Sequence, residues 1–328
     1  MPSSHHLVTG ATSGMGLELA RRLLADPANR LVVGARRPEA AVALRALAGP
    51  ERLAILPLDL ASLASTVAFA GAVASHLAND KLSSFAANAG LQTSGPRRLT
   101  ADGYEEAFQA NFLGHAVLIE RLMPHLAPGA PVVLTASGTH DPATRAARMF
   151  GFRGGLFVGA DRTARGDLDP AASVKQQGMD RYATSKLCVI LHVYALARRT
   201  RADDPRFIAF DPGLMPGTGL ARERSGLERW AWSNVLPVVA RALPGTSTVQ
   251  ASAAAYAELL TGRAFPRGSG LHVDFTLAEV PSSQDSRRED WQEELLRFVE
   301  RVALERGASQ RQSADEGETS WRGTRSVS

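Results

Sequence analysis

Residues 9–16 read Thr9-Gly10-Ala11-Thr12-Ser13-Gly14-Met15-Gly16. An apolar run at 6–9 reads as a strand leading into them, and LELARRLLA, from Leu17, carries the apolar spacing of a helix leading out. Three glycines between a strand and a helix let the backbone turn tightly and approach a pyrophosphate, whose charge the helix N-terminus stabilises. A Gly-rich turn alone means little. In strand–turn–helix context it predicts a dinucleotide-binding unit, with Thr9, Gly10, Thr12, Ser13, Gly14, Met15 and Gly16 against the ligand.

Outward from that turn the alternation continues. Segments 31–33, 53–56, 85–87 and 132–135 read as strands, separated by helical patterns such as ASLASTVAFAGAVASHLA and GYEEAFQANFLGHAVLIERLM. Such alternation predicts the α/β class: a doubly wound parallel sheet (Rossmann) in a single domain with substrate-loop insertions. The rhythm breaks at 138–178, rich in Gly, Asp, Arg and Thr, which predicts a long irregular insertion or a short hairpin. It resumes with a helix over 179–199, a strand at 207–210, a helix over 246–260 and a strand near 271–273. Residues 214–245, with the apolar WAWSNVLPVVARAL, read as a substrate loop, in which Trp230 and Trp232 suit a lid or core packing equally. An amphipathic helix over 291–304 closes a domain of residues 1–306, and polar 307–328 reads as a disordered tail.

The composition of the 328 residues, 45% hydrophobic and 21% charged, excludes a wholly disordered chain, a collagen and a coiled coil. Cys188 is the only cysteine, so there is no internal disulfide and no Cys-based metal centre. The histidines lack ligand spacing joined to a third ligand, so no metal is expected, and His115 and His192 read as core or face residues of helices. Of 37 basic side chains only Lys81, Lys175 and Lys186 are lysines; a net charge of +4 without a basic stripe argues against nucleic acid. The longest uncharged run, 60–79, is studded with Ser, Thr, His and Asn and reads as a buried helix rather than a membrane span. With no room for a signal peptide before the first strand, the expectation is a soluble, cytoplasmic protein.

Two further stretches carry chemistry. A dinucleotide fold that takes NAD puts a carboxylate after the second strand for the ribose hydroxyls. Here Gly34-Ala35-Arg36-Arg37 offers two guanidinium groups suited to a 2′-phosphate, which predicts NADP(H); the competing reading is a surface arginine pair opening a helix. Tyr182-Ala-Thr-Ser-Lys186 places a phenol and an ammonium on one helix face. A positive charge beside a phenol of ordinary pKa about 10 favours the phenolate, making Tyr182 a general acid/base with Lys186 as its partner. A Tyr and a Lys on an ordinary helix is the bland reading. The scarcity of lysine, and Ser137 at the end of an apolar strand upstream, weigh against it.

On these residues the chain resembles the short-chain dehydrogenase/reductase family up to about residue 305. TGATSGMG is similar to the family's cofactor turn, Asp59-Leu60 to the pair whose Asp sits by the adenine, and Asn88-Ala89-Gly90 to the motif closing the fourth strand. Asp211-Pro212-Gly213-Leu214 is similar to the loop bordering the nicotinamide. The resemblance implies a catalytic set of Asn111, Ser137, Tyr182 and Lys186. In it Ser137 hydrogen-bonds the substrate oxygen, Tyr182 is the acid/base, and Lys186 also holds the nicotinamide ribose. Asn111 marks a helix kink and a water-linked proton relay from Lys186. Pro212, Gly213 and, from its GTGL context, Thr218 join the cofactor contacts.

YATSKLC, PGLMPGTGL and PSSQDSRREDWQEELLRF are most similar to the retinol dehydrogenase and light-dependent protochlorophyllide reductase branch. Leu214 stands where the pigment reductases carry a cysteine, and Cys188 lies beyond Lys186 on the same helix. The expectation is an NADP-dependent oxidoreductase that moves a hydride between nicotinamide and a carbonyl or alcohol of a small apolar substrate, in a monomer or a homo-oligomer. Two alternatives stand beside it. One is reduction of a conjugated C=C bond in a pigment-like ring; the other is a non-catalytic NADP-binding sensor or scaffold, against which the intact Asn-Ser-Tyr-Lys set argues.

Overall fold

The computed structural model describes residues 3–93, 95–201, 203–215 and 245–323, with side chains of the last helix to Arg306. Seven parallel strands form one sheet: β1 Ser4–Thr9, β2 Asn29–Ala35, β3 Leu53–Pro57, β4 Leu82–Ala87, β5 Pro131–Thr135, β6 Arg206–Asp211 and β7 Leu271–Asp274. Their order is β3-β2-β1-β4-β5-β6-β7. The direction of winding reverses between β1 and β4, so the crevice beyond the carboxyl ends of these neighbours is where an open α/β sheet takes its ligand.

On one face, α1 Gly14–Leu24 and α5 Val249–Leu260 cover Val8, Val33, Ala86, Ile208 and Phe210. The other face carries α2 Leu63–Leu77, α3 Gly114–Leu122, α4 Val174–Arg199 and α6 Glu289–Gly323, packed around Phe85, Phe112, Leu118, Leu191 and Phe207. A sheet buried on both faces needs apolar side chains on both sides of each strand. That is why the strands read as apolar runs rather than alternating patterns.

Three helices start on hydroxyl caps: Ser62, Ser173 and Thr248 accept from the backbone N–H groups of Ser65, Gln176 and Ala251. α4 therefore begins at Val174, a full turn before the apolar pattern suggests. Ser173 and Gln176 have capping-box spacing, and the polar turn with Gly178 conceals it. α5 begins at Val249 rather than Thr246, because Thr248 is its cap.

Segment 138–178 is neither irregular throughout nor a hairpin. It holds short helical turns at Gly138–His140, Arg145–Met149 and Ala160–Arg165, separated by glycines in the left-handed region at Gly151, Gly154 and Gly159. Its charges, which suggest a solvated loop, clamp it to α4. Arg153 pairs with Asp180 (2.6 Å), and the Leu156 N–H donates to Thr184 Oγ1 (2.8 Å). The last helix runs on from Glu289 to Gly323, through most of the polar stretch that was expected to be a disordered tail. The ends of the 214–245 loop meet where the Leu214 N–H donates to the Gly245 carbonyl (2.9 Å), while Thr218, Trp230 and Trp232 lie outside the described residues. No described helix is long and apolar enough to cross a membrane.

Candidate active site

The glycine turn fits a diphosphate. A Cβ on Gly10 (φ +69°) would lie 2.7 Å from Ala89 Cα, and one on Gly16 only 2.2 Å from the Gly10 carbonyl oxygen. Asn88 locks the turn sideways, its amide donating to the carbonyls of Thr9 (2.8 Å) and Gly10 (3.3 Å). At Gly14 (φ +57°) there is only open space. Ser13 makes no capping bond and the first turn of α1 has no acidic residue, so its N–H groups and positive dipole end face an open cradle. Thr12, Ser13 and Gly14 form the exposed rim, and Thr9 and Met15 are buried beneath it. Arg36 and Arg37 stand exposed just past β2, with no ion pair among the described residues. After β3, Asp59 is exposed and accepts the Ala61 N–H (3.0 Å), while Leu60 is buried.

Asn111, Ser137, Tyr182 and Lys186 converge beyond the carboxyl ends of β4 and β5. Lys186 Nζ lies 5.9 Å from the Tyr182 ring centroid and donates to the Thr135 carbonyl (2.8 Å). Ser137, half-buried, is hydrogen-bonded to Tyr182, and its Oγ also meets the Thr139 hydroxyl (3.2 Å). Asn111 sits in a π-turn, Gln109–Leu113, which is the form the expected kink takes. Its Oδ1 accepts the Leu91 N–H (2.7 Å), and its Nδ2 donates to the Leu91 carbonyl and Ser185 Oγ (2.9 Å each). Gly90 packs between them: a Cβ there would be 3.2 Å from Asn111 Oδ1 and 3.6 Å from Lys186 Nζ. Across the crevice Gly213 (φ +72°) passes Phe275 too closely for a side chain, and Ser252 Oγ donates to the Pro212 carbonyl (2.7 Å).

Burial pushes the Tyr182 phenol up to about 12, outweighing the Ser137 hydrogen bond, with the Asp211 charge adding to the rise. Burial likewise pulls Lys186 down to about 8, against the pull of Asp211. Lys186 is not among the groups that move the phenol here. The ammonium is occupied by a carbonyl and the phenol is stripped of water, which disfavours its charged form.

Residues 4–145 match the family model described as short chain dehydrogenase. Mouse polyprenol dehydrogenase is 33% identical over 235 residues, covering 65% of this chain and 60% of that protein. Bovine dehydrogenase/reductase SDR family member 13 is 34% identical over 217 residues, covering 63% and 50%. The chain belongs to the short-chain dehydrogenase/reductase family. It spans between half and three fifths of these curated relatives. An NADPH-bound carbonyl reductase from chicken fatty liver shares the fold of this family member, with a TM-score of 0.61 at 18% identity over 86% of this chain and 100% of that one.

In this short-chain dehydrogenase/reductase several contacts escape a sequence reading. Asp211 closes β6, accepts the Gly213 N–H (3.0 Å) and acts electrostatically on both Tyr182 and Lys186. An acid directly before Pro-Gly was its only signal. His140 Nδ1 lies 2.7 Å from the Ser137 carbonyl, and Ser185 holds Asn111. His140 has no motif of its own, and Ser185 lies inside the Tyr182–Lys186 motif without a role that its spacing reveals.

Proposed function

We propose that this family member transfers a hydride between a nicotinamide dinucleotide, NADP(H) by preference, and a carbonyl or alcohol carbon of a small apolar substrate. The convergence of Asn111, Ser137, Tyr182 and Lys186 at the mouth of the glycine-turn crevice carries the reading. Gly10, Gly14 and Gly16 with the start of α1 would hold the diphosphate, and Arg36 and Arg37 the 2′-phosphate. When bound, the nicotinamide supplies or accepts the hydride at C4.

In the reductive direction the Ser137 hydroxyl donates to the substrate oxygen and stabilises its growing negative charge. The Tyr182 phenol gives that oxygen its proton, completing the alcohol; in oxidation it takes the proton back. A phenol held up at about 12 is protonated at neutral pH and so starts as an acid. Lys186, with a pKa of about 8, is largely an ammonium at pH 7 and favours the phenolate left behind. Asn111, fixed by Leu91 and Ser185, maintains proton resupply. An apolar substrate is supported by the cluster of Ala147, Phe152, Met179 and Ala183 around Tyr182, with the Phe152 ring 6.0 Å away. The name of the mouse relative, polyprenol dehydrogenase, supports an alcohol.

The test is a panel of ketones, aldehydes and alcohols followed by nicotinamide absorbance with NADPH and with NADH. Tyr182→Phe should keep NADPH binding and lose turnover by about 10²–10⁴-fold, the usual contribution of a general acid. Equal turnover in the variant and the wild type would overturn the reading.

A further inference from the structure

We propose that His115 is a positioning residue for this reaction, tying the backbone carbonyl of Asn111 to Thr9 at the foot of the glycine turn and so holding the π-turn peptide in place. The inference rests on the reading of the site given above.

His115 lies in the first turn of α3 and is 1% exposed. Its Nε2 is 2.9 Å from Thr9 Oγ1, and its Nδ1 is 3.3 Å from the Asn111 carbonyl oxygen. The direction of these bonds follows from counting protons. Thr9 Oγ1 already accepts the N–H groups of Asn88 and Ala89, each at 3.0 Å, which occupies both of its lone pairs. Its own proton must therefore be donated. His115 Nε2 is nearer than the competing Ala86 carbonyl at 3.4 Å. An Nε2 that accepts leaves the ring proton on Nδ1, which donates to the Asn111 carbonyl.

The result is one directed chain from the N–H groups of Asn88 and Ala89, through the Thr9 hydroxyl and the neutral imidazole, to Asn111. Burial holds the ring neutral, with a pKa of about 4. A π-turn departs from the regular i to i−4 bonding, so the carbonyls within it are less firmly set by the helix itself. The Asn111 side chain is fixed from one side by Leu91 and Ser185, and His115 fixes the peptide from the other. A histidine present only to satisfy Thr9 would have no bearing on Asn111, and that difference can be measured.

Three variants separate the two ends of the ring. His115→Asn puts an amide donor near the position of Nδ1 and is too short for Thr9. His115→Gln reaches Thr9 but not the Asn111 carbonyl. His115→Phe does neither. The Gln and Phe variants should bind NADPH within about threefold of wild type, keep KM for the substrate, and lose kcat by about tenfold or more; Asn should restore kcat to within about threefold. The proposal is overturned if Phe stays within twofold of wild-type kcat, if Gln matches or exceeds Asn, or if the loss lies in NADPH affinity. Should Phe fail to fold, the Asn–Gln comparison carries the test.

A second measurement does not depend on turnover. Nitrogen-15 spectra of histidine-labelled wild type at pH 7, with His115 identified by its loss in the Asn variant, should show a neutral ring protonated on Nδ1. A proton on Nε2, or a charged ring, overturns the proposal. Failure of the reaction assignment would show separately, as wild-type turnover in Tyr182→Phe.

Discussion

Tyr182 and Lys186 are driven toward their neutral forms by the same cause, loss of water, although their pKa values move in opposite directions. The i to i+4 spacing was legible because it belongs to one helix. The charge state was not, because it depends on burial by the assembled fold and on Asp211 from β6. Arg36 and Arg37 illustrate the reverse case: they are exposed and have no ion pair among the described residues, so their proposed role in holding a 2′-phosphate is one for nucleotide binding to test. Replacing both with uncharged residues should weaken NADPH far more than NADH in calorimetric titration. A charge-assisted hydrogen bond contributes roughly 1.5–3 kcal/mol, so the loss for NADPH should be about tenfold or more. Equal wild-type affinity for the two nucleotides would show that the arginines merely face solvent.

At the scale of elements, the glycine turn makes a contrast within a single loop. Gly14→Ala meets open space and pays only for a left-handed backbone, roughly 1–2 kcal/mol. Gly16→Ala drives a methyl into the Gly10 carbonyl and the Asn88 amide, so the turn must open. We expect a cost of about 3 kcal/mol or more in urea unfolding and the loss of nucleotide binding. If Gly16→Ala proved no worse than Gly14→Ala, the close packing of turn against helix would not exist in solution. The strands were legible because burial on both faces leaves an apolar run for each. The 138–178 segment was not. Its polar composition reads as solvated, whereas Arg153 reaches Asp180 and the Leu156 N–H donates to Thr184, fastening the segment to the helix that carries Tyr182.

For the whole molecule, the buried histidines set a dependence on acid. Burial lowers His115 and His140 to about 4 and His192 to about 3, from an ordinary 6.5. Below pH 6.5 the unfolded chain therefore takes up protons that the native protein refuses. Stability should fall as pH drops from 6.5 toward 4, by up to roughly 1.4 kcal/mol per pH unit for each histidine. Carboxylates contribute to the same slope, so the test is a difference: His192→Leu should flatten the stability profile between pH 4.5 and 6 by about one proton's worth. Identical slopes in variant and wild type would mean that His192 is not held neutral in the folded state.

Whatever depends on one stretch of backbone was determined by the sequence itself: the strand–turn–helix cradle, the Tyr182–Lys186 spacing, the strands of a doubly wound sheet and the family they point to. Neighbouring residues share one local geometry, so spacing alone sets which of them meet. Tertiary structure decided the rest: that Lys186 rests on Thr135, that Asn111 is held by Leu91 and Ser185, and that the insertion packs as helices. It also decided that His115, which reads as core, joins Thr9 to Asn111. These features are set by desolvation and by hydrogen bonds between segments far apart in the chain. Both acquire a value only when the sheet brings those segments together.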